Sequence, residues 1–233
     1  MYACHLRIRK CLIIKRVIPA QERQTREDET YMVFRNIMMC CRCSGAGIKY
    51  LSIILAVFIT CMQNQAFSAT KTWVPSTGGV WTTAGNWSPS GAPTTGDDVV
   101  IPVAQSAAIT AIPNLSLNSL TVNGSCILQS SSAITLTLGG NAGTDFTIAS
   151  GTTLTLGASV GITLATNATA TLDGTLSVGA GWTYNTNGTG VVTTVSGTGS
   201  IINAGTVTCT TATKLIFNGA STYQHNVNGG TVP

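Results

Sequence analysis

"FTIASGTTLTLGASVGITLATNATATLDG", Phe146 to Gly174, is the stretch that decides the fold. Apolar residues take every second place within it: Phe146 and Ile148, Leu154 and Leu156, Ile162 and Leu164. Thr stands between them. Alternation of this kind is the period of a strand with one buried face, and β-branched Thr suits the pleated outer surface. Ile148, Leu156, Leu164 and Leu172 follow one another at eight-residue intervals. Gly, Asn, Ser and Asp fill the gaps and turn the chain cheaply. The same pairing extends outward. Ile134, Leu136 and Leu138 lie upstream; Leu176 and Val178, Val207 and Cys209, and Leu215 and Phe217 lie downstream.

Short, evenly spaced strands are shared by sandwiches, barrels and solenoids. The solenoid is favoured because the strands are only three to five residues long and the segments resemble one another. Charge is also scarce where identical residues would stack about 4.8 Å apart and like charges would repel. Two or three segments then make one coil, with the apolar stripe facing a narrow core. A disordered Ser/Thr-rich stalk would lack the regular apolar residues.

The net charge of +4 belongs to the N-terminal segment. From Thr70 onward the charged residues are Lys71, Lys214, Asp97, Asp98, Asp145 and Asp173. That balance gives no basis for nucleic-acid binding by the body. Six of the eight cysteines also precede Thr70. "CCRC" at Cys40–Cys43 has no second Cys or His pair at zinc-finger spacing.

"GIKYLSIILAVFITCMQNQAFSAT" has the parts of a secretory signal. Lys49 supplies charge, Tyr50 to Met62 is an uncharged apolar run, and Ala66, Ser68 and Ala69 are small residues suited to cleavage after Ser68 or Ala69. The run is shorter than the roughly 20 residues that span a bilayer. Residues 1–44 therefore form a polar and basic extension, either disordered or upstream of the true start codon, and residues 45–69 form the signal peptide. Contact with the membrane is expected only during export.

Residues 70–102 differ from the rest. Trp73, Trp81 and Trp87 cluster with Pro75, Pro89 and Pro93. A solenoid exposes strand edges at an open end, so this segment is expected as an N-terminal Trp-rich cap, with its prolines keeping it out of the ladder. Asp97 and Asp98 are expected to accept backbone N–H bonds in a turn; the alternative is a weak calcium site with loop carbonyls. The three Trp rings are also candidates for stacking on sugar faces. Residues 103–233 form the repeats.

The segment "GVWTTAGNWSPSGAPTTGDDVVI", Gly79 to Ile101, resembles the N-terminal start of large secreted bacterial surface proteins with right-handed β-helix passengers. These include autotransporter-like and type IX-secreted adhesin-like proteins. Its matching residues are Gly79, Trp81, Asn86, Trp87, Ser88, Pro93, Gly96, Asp97, Asp98, Val99 and Ile101. The tail from Gly219 to Pro233 is similar to segments recurring within such proteins. The resemblance implies an all-β, right-handed parallel β-helix and an extracellular adhesin-like role. It implies no catalytic residues. Because such proteins run on for hundreds of residues, the chain reads as a fragment.

The expected function is adhesion or matrix building by a secreted, non-catalytic protein with no cofactor. Partners are host or environmental glycans or other surface proteins, together with self-association through the C-terminal edge. The alternative is a carbohydrate-binding or polysaccharide-degrading β-helix. Degradation needs clustered carboxylates, whereas Asp145 and Asp173 are isolated in turn contexts and His225 lacks a nearby acidic or thiol partner in sequence. Cys126 and Cys209 read as small buried hydrophobes, separated by several coils and so beyond the reach of a disulfide.

Overall fold

The computed structural model describes residues 68–139 and 143–229. The expected extension at 1–44, and the signal peptide up to residue 67, lie outside the described residues. Among the described residues the only helical element is a single 3-10 turn at Ala84–Asn86; the remaining elements are strands.

Each coil lays one strand in each of three parallel sheets, A, B and C. β1 (Thr70–Trp73) joins sheet A and β2 (Gly79–Val80) joins sheet B. β3 (Trp87–Ser88) turns back antiparallel along β1. Complete coils follow. The first is β4 (Asp98–Ile101), β5 (Ile109–Thr110) and β6 (Leu115–Leu117). The second is β7 (Ser119–Val122), β8 (Cys126–Leu128) and β9 (Ile134–Leu138). The third is β10 (Phe146–Ile148), β11 (Thr153–Leu156) and β12 (Val160–Leu164). The fourth is β13 (Thr169–Leu172), β14 (Thr175–Val178) and β15 (Thr183–Asn185). The fifth is β16 (Val192–Val195), β17 (Ser200–Asn203) and β18 (Thr206–Thr208). β19 (Leu215–Phe217) and β20 (Thr222–His225) begin a sixth. The protein is a parallel β-solenoid.

The eight-residue interval now has a physical meaning. Ile148 lies in sheet A, Leu156 in sheet B and Leu164 in sheet C, and Leu172 returns to sheet A as the register partner of Ile148. Three intervals close one coil. Inward residues stack as columns. Leu128, Leu156 and Val178 form one, Val122, Ile148, Leu172 and Val195 another, and all seven are fully buried. The core also holds a polar pair across its width: Tyr184 Oη and Thr193 Oγ1 lie 2.8 Å apart, both fully buried. Ala170, next to Phe146 in its column, leaves room beside the large rings.

Near the last coils the alternation holds but burial falls away. Phe217 stands in register with the fully buried Val195, in the inward phase expected of it with Leu215, yet it is 38% exposed. Cys209 is half-buried, not enclosed, and its Sγ donates to the Thr211 carbonyl. Among the described residues neither has a further coil beyond it to complete its cover. Cys126 is buried in β8, and burial pushes its thiol up to about 12. Both cysteines are free.

The expected exclusion of residues 70–102 from the ladder does not hold. β1 pairs in parallel with β4, and β2 with β5. Pro75, Pro89 and Pro93 fall between strands, where no ladder N–H is required.

Candidate functional site

The outer faces carry in-register columns of hydroxyl groups. On sheet A, Thr121, Thr147, Thr171 and Thr194 occupy one position on four successive coils. On sheet B, Thr153, Thr175, Ser200 and Thr222 do the same, and Thr175 and Ser200 bond each other at 2.9 Å. On sheet C, Ser116, Thr137, Thr163, Asn185 and Thr208 form a column of five. Rungs are spaced about 4.8 Å apart and outward neighbours along a strand about 6.6 Å apart. A neutral polar lattice of this kind follows from the alternation of Thr with Leu, Ile and Val.

The second column of sheet C has a gap. Thr135 and Thr183 flank Gly161, which has no side chain to fill its place. A groove of about 410 Å³ opens there. Asn114, Ile134, Thr135 and Thr183 line it, Gly161 supplies its floor, and Trp182 stands at its side. Trp182 is partly exposed, unlike the three other tryptophans, which are buried. Its position is set by the turn from Gly179 to Trp182. Trp182 N donates to the Gly179 carbonyl at 3.1 Å, and Gly181 has φ +82°, which a Gly adopts without strain. The backbone then enters β15, where the Trp182 carbonyl accepts from Thr206 N of the next coil. Asn114 is fixed as well, since its Oδ1 accepts from Thr135 N at 3.0 Å. The groove thus joins one indole, a position without a side chain at Gly161, the hydroxyl-bearing Thr135 and Thr183, and the Asn114 amide held by Thr135 N. Those are the elements that hold a sugar ring: an apolar face against the aromatic ring, and polar groups at the rim.

Trp73, Trp81 and Trp87 are at most 2% exposed. Trp87 meets the other two edge-on, with ring centroids 4.9 Å from Trp73 and 4.7 Å from Trp81. Trp73 Nε1 donates to Gln105 Oε1, and Trp87 Nε1 donates to the Trp81 carbonyl at 2.6 Å. Trp81 Nε1 is buried with no acceptor. Stacking on a sugar requires an open ring face, and in this arrangement the rings cover one another.

Asp97 and Asp98 are adjacent, but their oxygens are already engaged. Asp97 accepts from Thr94 N, Thr94 Oγ1 and Ala69 N; Asp98 accepts from Ser68 Oγ and Ser119 Oγ. The described residues hold no group of three or more metal-ligating side chains. Asp145 is buried and its Oδ2 accepts from Thr169 N at 2.8 Å, while Asp173 accepts from Ser196 Oγ. Neither faces the other. His225 lies beside Tyr223 Oη, with Nε2 3.2 Å from the Gly229 carbonyl.

No family model, curated protein or solved structure matches the chain. Sequence reasoning passes over Trp182 because "GAGWTY" reads as one more turn entering a strand. Its neighbour in the groove is Gly161, 21 residues upstream, and only the coil register brings the two together.

Proposed function

We propose that the chain is a secreted, non-catalytic protein of a bacterial surface or extracellular matrix, and that it adheres by holding carbohydrate in the Trp182 groove. In this reading the solenoid is a right-handed β-helix, an export signal beginning at residue 45 ends at Ser68 or Ala69, and the Trp73–Trp81–Trp87 cluster caps its N-terminal end. Host or environmental glycans are the partners, along with other surface proteins. The observation that carries the proposal is the partly exposed Trp182 lining the same groove as the gap at Gly161. No carboxylate lines that groove among the described residues, which supports holding a glycan over cleaving one, since glycoside hydrolysis calls for a carboxylate pair.

Tryptophan fluorescence tests it. Three of the four tryptophans are buried, so subtracting the spectrum of Trp182→Ala from that of the unaltered protein isolates Trp182. A panel of soluble oligosaccharides and insoluble polysaccharides is titrated or pulled down. Expected are quenching or a shift of the Trp182 component and retention on at least one polysaccharide, both lost in Trp182→Ala with unchanged circular dichroism. Equal retention of Trp182→Ala, or no binding across the panel, would overturn the proposal.

A further inference from the structure

Asp97 is 5% exposed and carries a carboxylate. Its Oδ2 accepts from Thr94 N and Thr94 Oγ1 at 2.8 and 3.0 Å. Its Oδ1 accepts from the backbone nitrogen of Ala69 at 3.1 Å. Asp98 N in turn donates to the Ala69 carbonyl at 2.9 Å, so Ala69 is clamped on both sides just before β1 begins. Asp98 also faces this corner, with Ser68 Oγ and Ser119 Oγ on its two oxygens. Lys71, two residues along, turns away: its Nζ reaches the carbonyls of Pro89 and Ser90 at 3.2 and 3.5 Å. Two adjacent carboxylates, one of them buried, thus stand without a cation among the described residues. Hydrogen bonds satisfy their oxygens, and a positive charge at this corner would add a charge-assisted bond to them.

The Ala69 nitrogen becomes that charge if the bond before it is cut. We propose that Ser68–Ala69 is the processing site of the exported chain, and that the new α-ammonium of Ala69 pairs with Asp97. This inference rests on the export reading above. The sequence selects the same bond independently. A signal peptidase needs small residues one and three places before the cut. Cutting after Ser68 puts Ser68 and Ala66 there, whereas cutting after Ala69 puts Phe67 in the third place. In the hydrolysis the C–N bond between Ser68 and Ala69 breaks. The oxygen of water goes to the Ser68 carbonyl carbon, which leaves as a carboxylate with the leader. Both protons of the water go to the Ala69 nitrogen. A neutral amide N–H on Asp97 is thereby replaced by an ammonium, and a charge-assisted bond is roughly twice as strong as a neutral one. Ser68 leaves with the leader, so Asp98 keeps Ser119 Oγ and loses Ser68 Oγ, while the corner where β1 meets β4 gains a cation in place of a neutral amide.

The test uses the full chain, exported from a bacterium under its own leader and purified from outside the cytoplasm. N-terminal sequencing and intact mass should give Ala69 as the first residue. The α-amine is then labelled by reductive 13C-methylation, which keeps its charge, and titrated by NMR. An ordinary α-amine titrates at about 7.7–8.0. Pairing with Asp97, with Asp98 alongside, should raise it by about one unit or more, and Asp97→Asn should return it towards the ordinary range. A raised value in the folded state means a contact present below the ordinary range and lost as pH climbs through the raised value. The melting temperature should therefore fall between about pH 8 and pH 10. If Asp97→Asn does not fold, the titration of the unaltered protein decides the pairing by itself. An exported chain starting at Thr70 or elsewhere leaves export standing and overturns this inference. So does an Ala69 terminus with an ordinary titration. A retained leader overturns both readings.

Discussion

Leu156→Ala and Thr155→Ala test the inward and outward phases on one strand. Leu156 is fully buried between Leu128 and Val178 of the adjacent coils, whereas Thr155 is half-buried on the outer face between Ile127 and Ser177. Truncating a buried Leu removes its transfer free energy and leaves a cavity, about 2–5 kcal/mol in all. A cavity here cannot close easily, because the strands above and below are held by ladder hydrogen bonds on both sides of β11. The upper half of that range is therefore expected. A substitution at an outward position away from special features stays within about 0.5 kcal/mol. For a folded unit of this size 1 kcal/mol moves the midpoint by roughly 2–4 °C. Leu156→Ala should thus lower the melting temperature by about 7–20 °C and Thr155→Ala by no more than about 2 °C. Thermal melts followed by circular dichroism, with urea titration as a check, give both numbers on the purified protein. Solenoids can lose coils separately, so hydrogen exchange should show the loss of protection centred on β8, β11 and β14. Equal midpoint shifts for the two variants would refute the assignment of faces on β11.

Three further outcomes follow from particular contacts. Gly174→Ala should cost about 1–3 kcal/mol, because a Cβ there would lie 2.3 Å from the Ala149 carbonyl oxygen and 2.4 Å from that of Thr152. Gly85→Ala, with nothing within 4 Å of its Cβ position, should be nearly neutral in the same urea titration. Trp81→Phe should be milder than Trp87→Phe by about 1–2 kcal/mol, since the first removes a buried N–H without a partner and the second breaks a bond to the Trp81 carbonyl; matched calorimetry compares them. The edge formed by β18, β19 and β20 should promote self-association, with Phe217→Lys reducing it. Sedimentation velocity decides this, and an unaltered protein that stays monomeric at high concentration would count against it.

Much of the architecture was legible because the chain repeats one simple instruction. Leu154, Leu156, Ile162 and Leu164 alternate with Thr or Gly, and the interval from Ile148 to Leu172 spells out a coil. The coil closes in three segments because turns such as Asp173–Gly174 are short enough to bend the chain without leaving the rung. Less legible was how far each coil departs from that interval. Leu120 pairs with Phe146, 26 residues on, whereas Asp98 pairs with Ser119 after only 21. Such differences accumulate in the turns, where composition carries no ruler. They decide which residues become neighbours across coils, and so they hid the meeting of Trp182 with Gly161. The three tryptophans near the start attracted attention as a cluster in sequence; packing against one another consumed the faces that made them attractive. Phe217 and Cys209 followed the right alternation, but alternation does not say whether a neighbouring coil is present to cover them.

The direction of the hydrogen bonds has a mechanical consequence. In all three sheets the ladders join one coil to the next, from β4 through β7, β10, β13 and β16 to β19 along sheet A. A pull along the stacking axis therefore loads these bonds in the direction they point, and the coil at the end carries the force first. Giving way one coil at a time, the chain releases about 80 Å of extended length per coil of some two dozen residues, while the coils behind remain wound. Under tension the solenoid behaves as a spool, lengthening in steps and dissipating work at each one without the whole stack coming apart.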